Sequence, residues 1–112
     1  MVNIEKIGDI TEVKFEIIRK INFLVGDQLL TKLQKTLETP NVKILINMEQ
    51  IQFLDSSGFA TFLSILKTTN TNHGQLILYN MSESAFELFK VLQLHNLFKI
   101  ADTKDNAIKT FK

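Results

Sequence analysis

The stretch Phe53-Leu54-Asp55-Ser56-Ser57-Gly58-Phe59 decides the fold prediction for this chain. It follows an apolar strand pattern, Val42 to Asn47, and runs into a helical pattern, Gly58 to Lys67. A loop between a strand and a helix lies at the carboxyl end of the strand, where open α/β sheets place their functional groups. Asp and Ser cap helices because their oxygens accept hydrogen bonds from the free amides of the first turn. One cap is sufficient, so the additional hydroxyl indicates a further role.

Composition excludes several classes of function. The 112 residues are 45% hydrophobic and 22% charged, which predicts one globular domain over residues 1–112. The net charge of +1, with acids and bases interspersed, gives no basic surface for nucleic acid. Without cysteine there is neither a disulfide nor a thiolate metal site. No apolar run approaches the roughly 20 residues of a membrane span. The first residues show no export signal, and we therefore expect a cytoplasmic protein.

The hydrophobic pattern predicts a β-hairpin followed by strand–helix units. Residues 2–7 and 10–18 alternate between apolar and polar, and Gly8-Asp9 is a two-residue hairpin signal. Asn22 can cap a first helix, in which Phe23, Leu30, Leu33 and Leu37 recur at helical spacing before Thr39-Pro40 ends it. The remaining predicted elements are strands at 42–47, 75–80 and 97–101, with a helix after each, the last two capped by Ser82 and by Asp102-Thr103.

This order of elements predicts an α/β fold with a mixed sheet and helices mainly on one face. Parallel strands joined by a helix connect in a right-handed sense, so strands that pair in sequence order place their helices on the same side. The opposite face is then expected to be uncovered. Its candidate residues are mixed in character: Lys14, Glu16, Ile18, Lys43, Leu45, Ile77 and Tyr79.

Residue types give little support for catalysis or metal binding. His73 and His95 are the only histidines, and neither belongs to a set of nitrogen and sulfur ligands that suits zinc. The four glycines form neither a phosphate loop nor a dinucleotide fingerprint. Ser56, His95 and Asp55 contain the residue types of a catalytic triad, but no glycine precedes the serine at nucleophile-elbow spacing. A hydrolase is therefore disfavoured, although triads are defined by geometry.

A serine at a helix N-terminus lies where negative charge is stabilised. A phosphate on Ser56 would add about −1.5 to −2 charges beside Asp55 without unfolding the domain. A protein docked over this loop would respond to that charge, as in a switch. Both serines as simple helix caps remain the alternative at this point.

Three segments carry a family resemblance: Lys43 to Asn47, Ile51 to Phe59 with its Asp-Ser-Ser-Gly loop, and Leu92 to Ile100. Through them the whole chain resembles the STAS domain, and most of all the bacterial anti-sigma-factor antagonists. The resemblance implies a partner switch without catalysis or a cofactor of its own. The unmodified antagonist binds a GHKL-type serine kinase that is also the anti-sigma factor, and so frees the sigma factor. Phosphorylation of the serine after the aspartate, here Ser56, releases the kinase, and a metal-dependent serine phosphatase resets the system.

The resemblance implies a partner-binding surface formed by Asn22 and by Leu54, Asp55, Ser56, Ser57, Gly58 and Phe59. We expect Leu54 and Phe59 to be partly exposed, with a second, weaker patch at Phe86 and Val91. The family often has an aspartate at the position of Asn22, and here Arg19 and Lys20 make this edge more basic. The complementary surface of the partner is expected to differ accordingly. A lone antagonist is expected to be a monomer or a weak homodimer.

Two other classes stay open. STAS domains also serve as scaffold subunits of stress-sensing or lipid-transport complexes, and the mixed apolar and basic open face suits that role. A small-ligand module has less support, since no convergent set of polar residues is visible in the sequence.

Overall fold

The computed structural model describes residues 1–111 and consists of seven strands and four helices in that part of the chain. The strands are β1 (Val2–Ile7), β2 (Ile10–Phe15), β3 (Lys20–Ile21), β4 (Lys43–Asn47), β5 (Phe53–Leu54), β6 (Gln75–Tyr79) and β7 (Lys99–Ala101). The helices are α1 (Phe23–Leu37), α2 (Ser56–Thr71), α3 (Glu83–Val91) and α4 (Lys104–Thr110), with one 3-10 turn at Leu94–Asn96.

The main sheet has the order β1-β2-β4-β6-β7. The first two strands form the predicted antiparallel hairpin, in which Ile7 pairs with Ile10 and Gly8 has a φ of +60°. All other neighbours in this sheet are parallel. The loops that follow β2, β4, β6 and β7 therefore lie at one edge of the sheet, which we call the carboxyl edge. The predicted mixed α/β architecture is confirmed.

The main core lies between the sheet and α1, α2 and α3. Alternate residues of the central strands point into it: Val13, Phe15, Ile44, Ile46, Leu76 and Leu78. Phenylalanine rings join α2 to α3 and to the segment before β7, with centroid distances of 5.3 Å for Phe59–Phe89 and 5.5 Å for Phe89–Phe98. Edge-to-face contacts of this kind add to the free energy gained by burying the rings. This core fixes α2, and with it the Asp55–Ser56 loop, against the sheet.

The opposite face of the sheet is partly covered, which corrects the expectation of an open face. Helix α4 packs across β6 and β7, and Ala107 is buried there beside Leu45 and Ile77. The reversal has a simple cause: β7 is an edge strand, so the helix that follows it has no further parallel strand to reach. A short helix with an apolar stripe can then fold back onto the bare side.

A buried polar group lies under α4. The carboxylate of Glu12, fully buried in β2, accepts a hydrogen bond from the Tyr79 hydroxyl and lies 2.9 Å from the ammonium of Lys104. Burial, together with the hydrogen bond to Glu12, raises the pKa of Tyr79 well above its ordinary value. The phenol therefore stays protonated and keeps donating to the carboxylate. Lys104 connects α4 to this face of the sheet by charge, in addition to the apolar contact that Ala107 makes.

Two features of the β2–α1 connection differ from the sequence prediction. The second hairpin strand ends at Phe15 rather than at residue 18, and β3 and β5 form a separate two-stranded parallel sheet. Strands of two residues are too short to show any hydrophobic period. Between β2 and β3, Ile17 has a φ of +59° and a 97% exposed side chain. A β-branched residue rarely adopts that backbone conformation.

Candidate functional site

Asp55 caps helix α2, as its residue type and position predict. One oxygen of its carboxylate accepts hydrogen bonds from the Gly58 amide at 2.9 Å and from the Ser57 hydroxyl at 2.6 Å. These two donors, Ser57 first, hold the pKa of Asp55 below its usual value, and the positive charge of Lys20 adds to the effect. The cap is therefore ionised at neutral pH, at the positive end of the helix dipole.

Ser56 is the serine left without a structural task. It is the first residue of α2 and is exposed, and within residues 1–111 its hydroxyl makes no hydrogen bond. Ser57, by contrast, is partly buried and engaged with Asp55. Two adjacent residues of the same type thus have different states: one supports the cap, and the other presents a free nucleophilic oxygen to solvent.

The small sheet of β3 and β5 holds this loop in place. Ile21 pairs with Leu54, and the Asp55 amide donates to the Ile21 carbonyl at 3.2 Å. Gly58 packs against the same carbonyl so tightly that an added Cβ would lie 2.2 Å from its oxygen. The absence of a side chain at Gly58 is what allows the first turn of α2 to rest directly on β3.

Asn22 lies beside Asp55 and, like it, stands between a two-residue strand and a helix. It follows β3 as Asp55 follows β5, and its side-chain oxygen accepts from the Val25 amide at 3.0 Å to cap α1. Since β3 and β5 are parallel and paired, the N-termini of α1 and α2 lie side by side at this edge. The structure therefore brings Asn22, Asp55, Ser56, Ser57 and Gly58 together at this edge, and their role in binding a partner stays a prediction.

The expected exposure of Leu54 and Phe59 is wrong. Leu54 is 2% and Phe59 7% exposed, because Leu54 points into the main core from β5 and Phe59 meets Phe89 of α3 edge to face. The neighbour of Leu54 in the strand, Phe53, points outward instead and is 43% exposed. Alternation along a strand of two residues gives this result, but it requires knowing that β5 exists.

Other apolar side chains at this edge are exposed where the sequence predicted core residues. Phe23, one of the four residues that recur at helical spacing in the predicted first helix, is exposed together with Leu24. We call Phe23, Leu24 and Phe53 the apolar rim. The Lys20 ammonium lies 5.5 Å from the centroid of the Phe53 ring, in a cation–π arrangement. The rim borders the Asp55–Ser56 loop, because β3 and β5 are paired. Its exposed residues were missed because helical periodicity alone does not show which apolar side chains stay at the surface.

His95 does not complete a triad. It lies in the 3-10 turn before β7, with its ring 6.4 Å from that of Phe86, and no hydrogen bond joins it to Ser56 or Asp55 within residues 1–111.

Of the second predicted patch, Phe86 is partly buried and Val91 is exposed. In the described part of the chain no helix is long and apolar enough to cross a bilayer, and no three acidic, histidine or cysteine side chains cluster as metal ligands do.

Comparison with known proteins identifies the family. The chain belongs to the STAS domain family, whose model matches residues 1–107. It is 25% identical over 77 residues to the anti-sigma-B factor antagonist of Listeria monocytogenes, a match that covers 65% of this chain and 68% of that protein.

Solved structures give the same fold. An anti-sigma-factor antagonist (STAS) domain protein from Planctomyces limnophilus superposes with a TM-score of 0.87 at 17% identity, covering 99% of this chain and 97% of that one. The anti-sigma factor antagonist SpoIIAA superposes in its unphosphorylated form with a TM-score of 0.75 at 22% identity, over 97% of this chain and 96% of that one. Its phosphorylated form, from Bacillus, gives 0.74 at 21% identity over the full length of both chains.

Proposed function

We propose that this protein is an anti-sigma-factor antagonist that works by reversible binding, controlled by phosphorylation of Ser56. The unmodified protein binds a GHKL-type serine kinase that doubles as anti-sigma factor, and it thereby frees a sigma factor. Transfer of the γ-phosphoryl group of ATP to the Ser56 hydroxyl releases the protein, and a metal-dependent serine phosphatase restores it. The exchange takes place in the cytoplasm, and the protein itself catalyses no step.

One observation carries this proposal: Ser56 is exposed and its hydroxyl makes no hydrogen bond within residues 1–111, whereas the Ser57 hydroxyl, one residue away, donates a hydrogen bond to Asp55. A kinase can reach the Ser56 oxygen without breaking the cap of α2. The names of the similar proteins support the general role, since the Listeria relative is an anti-sigma-B factor antagonist and SpoIIAA exists in a phosphorylated form.

The apolar rim supplies the docking area that such a partner needs. Exposed aromatic side chains beside a small polar centre are typical of the residues that dominate the free energy of binding. Phe23 and Phe53 flank the loop, and Lys20 adds positive charge. We therefore expect the partner to present an apolar surface with acidic residues near Lys20. A phosphate on Ser56 would introduce a dianion into the centre of this contact, where desolvating it is costly.

The decisive experiment incubates the protein with ATP and a GHKL-type kinase from the same organism, and then maps the phosphopeptide by mass spectrometry. We expect phosphate on Ser56 and none on Ser57. Ser56→Ala should bind the kinase constitutively, whereas Ser56→Asp should bind it at least roughly 100-fold more weakly. Ser64→Ala is the matched control, because it removes an exposed hydroxyl from the same helix about two turns away and leaves the Asp55 cap intact. Equal kinase affinity of the two Ser56 variants would exclude the proposal.

The scaffold alternative is less favoured, because α4 covers part of the face that was expected to be open. The monomer or weak homodimer expected of an antagonist remains testable by sedimentation at several concentrations.

A further inference from the structure

Lys20 is a basic residue beside the Ser56 loop that has no acidic partner. It is exposed at the start of β3, and within residues 1–111 its ammonium forms no ion pair. The ammonium lies 5.5 Å from the centroid of the Phe53 ring. A contact between a cation and an exposed ring is weak, so the ammonium can leave the ring when a stronger partner is present.

The pairing of β3 with β5 places Lys20 on the same side as the residue expected to be phosphorylated. Lys20 pairs with Phe53, and Ile21 pairs with Leu54. Successive side chains of a strand point to opposite sides, so Lys20 and Phe53 share the outer side while Ile21 and Leu54 are buried in the core. Ser56 follows Phe53 by three residues and is exposed at the same edge.

The charge of Lys20 already acts on the residue next to Ser56. The Ser57 hydroxyl and the Gly58 amide hold the pKa of Asp55 below its usual value, and the positive charge of Lys20 adds to this effect. A phosphate on Ser56 would carry about −1.5 to −2 charges, compared with the single charge of the Asp55 carboxylate. A dianion at this position would therefore attract the same ammonium more strongly.

The other charged groups around the loop leave this attraction in place. Arg19, beside Lys20, is exposed and also forms no ion pair within residues 1–111. Neither α1 nor α2 has an acidic residue in its first turn. Helix α3 packs against β5 and carries Glu83 and Glu87, of which Glu87 forms an ion pair with Lys90 at 2.7 Å. Lys20 and Arg19 are thus the unpaired cations beside the loop.

We propose that Lys20 pairs with the phosphate once Ser56 is phosphorylated, and that its ammonium leaves the Phe53 ring to do so. In the unmodified protein, the same ammonium attracts the acidic residues expected on the partner. Phosphorylation then changes the docking surface twice: it adds negative charge at Ser56, and it withdraws a cation from the apolar rim. This inference rests on the proposed phosphorylation of Ser56 and specifies which residue responds to it.

The test uses protein with phosphoserine installed at position 56 during synthesis, so that no kinase is needed. Phosphorus-31 NMR in about 0.15 M salt measures the pKa of the second ionisation of the phosphate, which is ordinarily about 6. A nearby ammonium favours the dianion and lowers this pKa. Lys20→Met should therefore raise it by about 0.3 to 0.7, as expected for an exposed charge pair. Lys20→Arg should keep it low, because a guanidinium also pairs with phosphate.

Lys67→Met is the matched control. It removes one exposed positive charge from the same helix, about 16 Å along the helix axis from residue 56. At this separation salt screens the interaction, so the phosphate pKa should stay unchanged. Unshifted backbone amide signals in β4 and β6 verify that each variant is folded. The proposal fails if Lys20→Met leaves the phosphate pKa unchanged, or if Lys67→Met raises it as much.

A second measurement follows the Lys20 side chain itself. In the unmodified protein the Phe53 ring should shift the Hε signals of Lys20 upfield, and Phe53→Leu identifies the part of the shift that the ring causes. Phosphoserine at position 56 should abolish that part. Signals that keep it would show that the ammonium has not left the ring, which contradicts the proposal. A kinase that fails to phosphorylate Ser56 would instead refute the proposed function, and neither NMR result depends on that reaction.

Discussion

At the scale of single residues, the state of Asp55 makes the stability of the protein depend on pH. A carboxyl group whose pKa is lower in the folded state contributes stability above its unfolded pKa, and that contribution disappears as the pH falls through the folded pKa. The Ser57 hydroxyl and the Gly58 amide lower the pKa of Asp55 below 3.8. Asp55→Asn keeps a capping oxygen but cannot titrate. We expect it to be less stable than the unaltered protein at pH 7, by a margin that shrinks below pH 3.8.

Urea unfolding of both proteins at several pH values measures this difference. Asp9 and Asp102 also have lowered pKa values, so both proteins lose stability in acid, and only the difference between them reports on Asp55. A difference that stays constant with pH would mean that the Asp55 charge contributes nothing to the cap.

We expect the backbone conformation of Ile17 to lower the free energy of unfolding of the protein. A left-handed backbone conformation costs an L-residue about 1 to 2 kcal/mol, and a fully exposed side chain gives no packing in return. Ile17→Gly should therefore raise the free energy of unfolding by up to about 1 kcal/mol, part of the gain being offset by the entropy of glycine in the unfolded chain. Ile18→Gly is the control. Ile18 packs partly against the main core, so its removal should destabilise the protein.

At the scale of elements, two glycines mark close contacts that should respond differently to alanine. A Cβ at Gly58 would meet the Ile21 backbone carbonyl at 2.2 Å, whereas one at Gly26 of α1 would meet the Thr61 side-chain oxygen at 2.4 Å. Backbone cannot move aside cheaply, but a hydroxyl can rotate. We expect Gly58→Ala to lower the free energy of unfolding by roughly 2 kcal/mol or more. Gly26→Ala should cost less, because the Thr61 hydroxyl can rotate away, whereas the roughly 1 kcal/mol by which alanine favours a helix applies at both positions.

Denaturant unfolding monitored by circular dichroism compares the two variants. Equal losses would show that the contact between α2 and β3 is no more rigid than the contact between α1 and α2.

The attachment of α4 to the sheet depends on Lys104. Removing its ammonium leaves the buried Glu12 carboxylate with Tyr79 as its remaining partner. Because Lys104 is itself partly exposed, Lys104→Met should cost about 1 to 2 kcal/mol rather than the full penalty of a buried pair. Hydrogen exchange should show faster opening of α4 than of the rest of the protein. Lys109→Met, on the same helix and exposed, should change stability by less than about 0.5 kcal/mol.

At the scale of the whole molecule, the sequence predicted most of the architecture. The apolar run of β4 and the helical period of α2 identify these elements, and the Asp-Ser-Ser-Gly loop between them is the predicted place of the site. The misassigned residues lie in short or terminal segments. Phe23 fits the helical period but begins α1 at an open edge, and Leu54 belongs to a strand of two residues. Their environments are set by tertiary neighbours, which local pattern does not contain.

The rigidity of the molecule around Ser56 leads to a further prediction for the phosphorylated state. The loop is fixed by the cap, by β3 and by Gly58, so a negative charge on Ser56 has no packed neighbour to displace. Ser56→Asp should therefore alter amide resonances only within about one helical turn of residue 56, and should change the free energy of unfolding by less than about 0.5 kcal/mol. Shifts that spread through α1 and the main sheet would show that the charge acts by changing the fold.

The placement of α4 has a consequence for the protein during its synthesis on the ribosome. The ribosome makes this helix after every strand of the sheet, so the far face, with Ile10, Leu45 and Ile77, has no cover until residues 104–110 emerge. At a synthesis rate of roughly 5 to 20 residues per second, the time before α4 emerges is brief, but this apolar face is exposed to other cellular proteins throughout it. Premature termination before Lys104 would leave this apolar face permanently uncovered. Such truncated chains should therefore be found among aggregates and bound to chaperones.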